Sequence, residues 1–126
     1  MATAVYTDAR CLAHDTGQGH PERAARLPAI WGALGEAGLW DYLRQPAAQP
    51  LALDEMTPVH DPDYLLALRT YCEQGGGLFA TDAPTSADSW RAATWTAGAA
   101  CSAARAVLAG ELDRALVLGR PPGHHA

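Results

Sequence analysis

The C-terminal segment Arg120-Pro121-Pro122-Gly123-His124-His125-Ala126 constrains this chain more than any other stretch. It directly follows an apolar run over 115–118 that is typical of a buried β-strand. Packing alone gives little reason to place adjacent histidines after such a strand. Because imidazole titrates near neutrality, a pair held in one pocket can supply a neutral base and a cation at the same pH. The segment therefore predicts that His124 and His125 are catalytic.

Composition excludes several classes of protein. With 126 residues, 48% hydrophobic and 18% charged, the chain has the makeup of one folded domain. It contains no run of about 18 apolar residues, and its N-terminus lacks the features of a secretory signal. The net charge of −5 and the dispersed arginines argue against a nucleic-acid surface. Three scattered cysteines suit free thiols in a reducing cytoplasm, so we expect a cytoplasmic protein that binds neither membrane nor nucleic acid.

The element pattern predicts an α/β domain with a parallel sheet. A strand over 4–6 is followed by a helix that opens at 20–23, a helix capped at Asp61, a long helix from about 89 to 109, and the strand over 115–118. We predict a loop over 78–89. In such domains, sites lie beyond the carboxyl ends of the strands, where His124 and His125 are expected.

The long helix over 89–109 has an apolar face rich in small residues, which favours close packing on a sheet. The spacing predicts that this face consists of Trp90, Ala93, Ala97, Cys101, Ala104 and Leu108.

Four segments, taken in order, resemble the histone deacetylase superfamily, particularly its bacterial members of the acetylpolyamine amidohydrolase and acetoin utilisation types. They are His14-Asp-Thr-Gly with His20-Pro-Glu-Arg, Val59-His60-Asp-Pro-Asp-Tyr64, Asp82-Ala-Pro84 with Ser89-Trp90, and Arg120-Pro-Pro-Gly-His-His-Ala126. The resemblance implies an arginase–deacetylase type three-layer α/β/α fold, of which residues 1–126 form an N-terminal part that ends after the His-His motif.

The resemblance also implies roles for individual residues. His125 matches the general base and His124 the neighbour that stabilises charge. Asp82 matches an aspartate at the rim that binds the substrate backbone, and Arg26 matches an arginine of an internal channel through which acetate leaves. Ala24 and Ala25 stand where the family more often has Pro-Glu.

The resemblance implies a zinc-dependent deacetylase acting on acetyl-lysine or acetylpolyamines. The family's zinc ligands, an Asp-x-His and a later aspartate, correspond to positions beyond Ala126. Because a catalytic zinc needs about three protein ligands and a water, we expect this chain to bind no metal and to be inactive alone. Alternatives are a non-catalytic binding or regulatory half-domain, and one half of a split deacetylase whose C-terminal half is a separate chain. The oligomeric state stays open.

Several candidate residues also have structural interpretations. His14 and His20 either shape the mouth of the pocket or are turn histidines, and Asp82 is also ordinary turn chemistry. A rival zinc site of His14, Asp15, His20 and His60 is conceivable by ligand type, but its spacing is not diagnostic.

Overall fold

The computed structural model describes residues 1–124. The strands are β1 Thr3–Thr7, β2 Leu43–Arg44, β3 Gly76–Ala80, β4 Ala83–Ser86 and β5 Arg114–Leu118. The α-helices are α1 Arg26–Glu36, α2 Leu53–Met56, α3 Pro62–Glu73 and α4 Ser89–Leu108, with 3₁₀ helices at Ala9–Ala13 and Trp40–Tyr42. No helix among these described residues is long and apolar enough to cross a membrane.

The main sheet is parallel, which confirms the expected α/β class. Its order is β2-β1-β5, and β1 pairs with β5 from Thr3 opposite Arg114 to Thr7 opposite Leu118. The central strand is buried on both faces, as expected for a parallel sheet. Because Thr7 and Leu118 are register partners, the segments that leave β1 and β5 begin side by side at one edge of the sheet.

Helix α4 packs on this sheet through a face different from the predicted one. The buried apolar positions are Ala92, Trp95, Ala99 and Ala103, whereas Leu108 is 88% exposed. Small apolar residues surround much of the helix, so periodicity alone does not select a face. Burying the Trp95 ring removes the largest apolar area from water, and this places Trp95 at the sheet.

Helix α1 begins at Arg26, later than the predicted start at 20–23. The preceding residues form turns held by side chains: the Glu22 amide donates to Nδ1 of His20, and the Thr16 hydroxyl donates to the Glu22 carbonyl. These bonds compete with helical ones. Pro28 is the third helical residue, where a missing amide proton costs nothing.

The loop predicted over 78–89 is instead mostly an antiparallel hairpin of β3 and β4. Gly76 opens β3 at φ +75°, and a Cβ there would lie 2.5 Å from the Thr85 carbonyl oxygen. The glycines therefore both end α3 and allow the strands to approach. Phe79 on the hairpin contacts the rings of Tyr64 and Tyr71 on α3, with centroid distances of 5.8 and 5.4 Å.

Candidate functional site

Arg120 lies just beyond β5 and joins the two segments that leave the sheet edge. Its side chain is 1% exposed. Nε donates to Oε1 of Glu22 at 2.7 Å and Nη2 donates to Oε2 at 2.9 Å, which forms a bidentate pair. Nη1 donates to the carbonyl oxygens of Cys11 and His14 at 2.9 and 2.8 Å. The guanidinium thus ties the Pro-Pro-Gly-His segment to the segment after β1.

Glu22 is the counter-charge of Arg120. Its side chain is 17% exposed, and Arg26 Nη1 also approaches Oε1 at 3.2 Å. Burial by itself raises the pKa of Glu22, but the hydrogen bonds and charge of Arg120 outweigh it, so the pKa lies below its ordinary value. Glu22 is therefore ionised at neutral pH, as a partner of a buried guanidinium must be.

His14 links this pair to helix α4. Its Nδ1 lies 2.7 Å from Oγ of Ser89, and its Nε2 lies 3.7 Å from Oε2 of Glu22. Burial, together with the charge of Arg120, lowers the pKa of His14, so the ring is neutral at pH 7 and forms no ion pair with Glu22. The tautomer with a proton on Nε2 places that proton toward the carboxylate and leaves Nδ1 to accept from Ser89. We call Arg120, Glu22, Arg26, His14 and Ser89 the Arg120 cluster.

The end of β5 is packed closely against α4. A Cβ at Gly119 would lie 2.5 Å from both Cγ2 and Oγ1 of Thr96. The Thr96 hydroxyl donates to the carbonyl of Arg120 at 3.2 Å. This contact needs glycine before Arg120, and it fixes the backbone from which the His-His segment departs.

Arg26 borders a small cavity at the same end of β5. The cavity measures about 120 Å³ and is also lined by Leu27, Ile30, Gly119 and Arg120. The Arg26 side chain is 51% exposed and extends from the first turn of α1. The residue predicted to line a channel therefore lies beside a cavity at the carboxyl end of β5.

The predicted catalytic pair is only partly within the described residues. His124 is exposed and lies four positions after the anchored Arg120. His125 lies outside the described residues. The position of His124 beyond the carboxyl end of β5 agrees with the position predicted for it from the sequence.

Asp82, His20 and His14 have different surroundings. Asp82 is exposed in the turn between β3 and β4, and its side chain makes no hydrogen bond to the Arg120 cluster within residues 1–124. His20 is partly exposed and accepts the Glu22 amide. His14 is only 4% exposed, so the predicted position at a pocket mouth does not fit it. Its contacts with Ser89 and Arg120 favour the structural interpretation.

The residues described here do not fit a zinc site. Among residues 1–124, no three His, Cys, Asp or Glu side chains converge to hold a metal ion. This includes the rival set of His14, Asp15, His20 and His60. His14 Nε2 and Glu22 Oε2 lie 3.7 Å apart, but the Arg120 guanidinium binds the same carboxylate oxygen, and its positive charge opposes a cation there.

Sequence reasoning missed the pairing of Glu22 with Arg120. It assigned Glu22 to a helix start and treated Arg120 only as part of the motif. One signal was present, because an arginine at the end of a buried strand requires a carboxylate. Nothing local identifies which of the chain's acidic residues supplies it.

Comparison with known proteins identifies the family. The histone deacetylase domain matches residues 20–126. The chain is 34% identical to a histone deacetylase-like amidohydrolase of Pseudomonas aeruginosa, over 98% of this chain and 37% of that protein. It is 33% identical to a probable deacetylase of Archaeoglobus fulgidus, over 100% of this chain and 35% of that protein. The match thus extends beyond bacterial members.

A solved structure gives the same result. The crystal structure of the HDA15 HD domain superposes with a TM-score of 0.91 at 33% identity, and the match covers 99% of this chain and 36% of that one. The chain spans little more than a third of the length of these relatives. Its parallel sheet is the corresponding part of an arginase–deacetylase type α/β fold. The chain belongs to the histone deacetylase domain family.

Proposed function

We propose that the protein containing this chain hydrolyses N-acetyl amides, either acetyl-lysine side chains or acetylpolyamines, in a zinc-dependent reaction. The observation that carries the proposal is the anchoring of Arg120, which begins the Arg-Pro-Pro-Gly-His-His segment just beyond the carboxyl end of β5, in a chain matched to the histone deacetylase domain. In the reaction, water adds to the acetyl carbonyl and the C–N bond breaks. The products are acetate and a free amine.

The proposed roles follow the match of individual residues. His125 takes a proton from water and returns it to the leaving amine, and His124 stabilises the charge that develops beside it. Asp82 accepts hydrogen bonds from the substrate backbone, which its exposed place in the β3–β4 turn permits. Arg26, beside the 120 Å³ cavity, attracts the acetate product.

Zinc, when bound, would polarise the acetyl carbonyl and activate water. Residues 1–124 bring no ligand set together, so we propose that the ligands come from polypeptide outside this chain. The relatives are more than twice as long, which supports this source. We accordingly propose that the 126 residues alone are inactive.

The test is hydrolysis of an acetyl-lysine peptide and of N-acetylputrescine by the full-length protein loaded with zinc. We expect acetate release from at least one substrate, lowered about 10²- to 10⁴-fold by His125→Ala. His60→Ala is the matched control, because His60 lies outside the Arg120 cluster and its ring contacts Tyr64. The proposal would be contradicted if the wild-type protein hydrolysed neither substrate, or if His125→Ala kept full activity. Hydrolysis by residues 1–126 alone would contradict the proposal that the zinc ligands come from polypeptide outside this chain.

One observation also supports the split-deacetylase alternative. Within residues 1–124, β5 pairs only with β1, and Leu116 on β5 is 50% exposed. An apolar strand with an open edge associates with other chains unless another segment covers it. Expression of residues 1–126 alone tests the source of that segment. We expect aggregation; rescue by a separate polypeptide would favour the split form, and a monomer that melts cooperatively would favour the half-domain.

A further inference from the structure

A second cavity lies away from the Arg120 cluster and is rich in arginine. It measures about 290 Å³ and is lined by residues of the Ala9–Ala13 helix, the 50–53 segment, α3 and α4. Arg10, Arg69 and Arg91 all line it, each from a different helix. We propose that this arginine cavity binds a small organic molecule bearing phosphate groups.

The charge of the lining supports an anion. None of the residues that line the cavity is an aspartate or glutamate. Three of the nine arginines therefore line one cavity, and the carboxylates that contact them, Asp8, Glu73 and Asp88, do not line it. Converging positive charge in a recess raises the local concentration of anions.

The arginines also retain hydrogen-bond donors. Arg10 contacts Asp8 through Nε at 2.9 Å, and Arg69 contacts Glu73 through Nε at 2.8 Å. Both terminal amino groups of these two side chains therefore have no partner among residues 1–124. Arg91 uses Nη1 toward Asp88 at 3.4 Å, a long contact. A guanidinium with free terminal donors suits bidentate binding of phosphate oxygens.

Asp8 lies within the electrostatic influence of two of the arginines, Arg10 and Arg91. Burial by itself raises the pKa of Asp8, but the hydrogen bonds from Arg10 and the charges of Arg10 and Arg91 outweigh it and lower the pKa. Arg91 thus acts on the carboxylate that Arg10 contacts. An anion in the cavity would meet both positive charges.

The remaining walls set the size and nature of the ligand. Trp90, Leu51 and Leu53 contribute apolar surface, and Thr94 on α4 also lines the cavity. Pockets for small molecules generally measure about 300–1,000 Å³, so this volume suits a small metabolite. A lining that combines arginines with apolar side chains favours an organic phosphate. No residue of the Arg120 cluster lines the cavity, so the inference is independent of the proposed reaction.

Calorimetric titration of the full-length protein with sodium pyrophosphate at fixed ionic strength tests the proposal. We expect saturable binding to one site, weakened at least tenfold by Arg69→Met and abolished by the combined Arg10→Met, Arg69→Met and Arg91→Met variant. Arg105→Met is the matched control: Arg105 is 70% exposed and paired with Glu55 at 4.0 Å, but does not line the cavity.

Thermal unfolding of each variant establishes that it is folded before its binding is compared. Absence of saturable binding to the folded wild-type protein would overturn the proposal. So would an Arg105→Met variant that loses as much affinity as Arg69→Met, because the binding would then be to surface charge in general.

Discussion

Arginine has opposite surroundings in two regions of this molecule. Arg120 is 1% exposed, and each of its three guanidinium nitrogens donates to a protein acceptor. In the arginine cavity, Arg10, Arg69 and Arg91 are 32%, 51% and 70% exposed and each contacts one carboxylate. Arg120 therefore has no guanidinium nitrogen left to bind a ligand, whereas the three arginines of the cavity do.

The comparison separates structural from ligand-binding arginines. A buried guanidinium is tolerated only when its donors are satisfied, so Arg120 must keep its partners and thereby fixes the segment that carries His124. An exposed guanidinium contributes little to folding and can exchange water for an anion.

Arg120→Met is expected to destabilise the protein by about 3–5 kcal/mol, because it leaves the largely buried Glu22 carboxylate with only the half-exposed Arg26 as a charged partner. Urea unfolding of the full-length protein measures the change. Arg105→Met, which removes an exposed arginine with a long contact to Glu55, is the control and should change stability by less than about 1 kcal/mol. Equal effects of the two substitutions would remove the distinction between the regions.

Gly119→Ala is expected to cost about 1–3 kcal/mol, because its Cβ would overlap the Thr96 side chain and displace the strand end from α4. Gly32→Ala is the matched control, since a Cβ at that helical position meets nothing within 4 Å and should be neutral or stabilising. Thermal melting of both variants measures the difference. A stable Gly119→Ala protein would mean that the strand end can shift freely.

Stability is expected to fall in acid in two stages. The pKa values of His14 and Glu22 are both lowered on folding, so the unfolded chain binds protons first. Stability should be complete above pH 6.5, fall as His14 titrates below 6.5, and fall further as Glu22 titrates below 4.5. His14→Gln should remove the first stage and leave the second. Unfolding curves from pH 7.5 to 3.5 measure both stages. A first stage that is unchanged in His14→Gln would contradict its assignment to His14.

Arg69→Ala should give the smallest change in stability, under about 1 kcal/mol, because the Arg69–Glu73 pair is exposed and i,i+4. The same variant is expected to lose affinity for pyrophosphate. Measuring stability and pyrophosphate affinity on this one variant separates a structural role of Arg69 from a ligand-binding role. A large loss of stability would place Arg69 with Arg120 as a structural residue.

The sequence predicted features that depend on local signals. Asp61 and Pro62 identified the start of α3, and the Asp61 carboxylate accepts the amides of Asp63 and Tyr64 as a helix cap. The apolar run before Gly119 identified β5. In both places neighbouring residues decide the structure, so the prediction needed no tertiary information.

What the sequence missed depends on long-range contacts. Glu22 and Arg120 are 98 positions apart, and neither has a neighbour that identifies the other. The buried face of α4 was mispredicted because Ala and Gly surround the helix and only the position of Trp95 against the sheet decides its orientation. The hairpin was missed because Gly76, Gly77 and Pro84 resemble loop composition, although their strands pair.

A double-mutant cycle between Glu22→Gln and Arg120→Met measures whether this buried pair joins the segments that leave β1 and β5. We predict a coupling energy of about 2–3 kcal/mol in urea unfolding of the full-length protein. The same cycle on Glu73→Gln and Arg69→Met should give about 0.3–0.5 kcal/mol. A Glu22–Arg120 coupling no larger than that of the exposed pair would contradict the account.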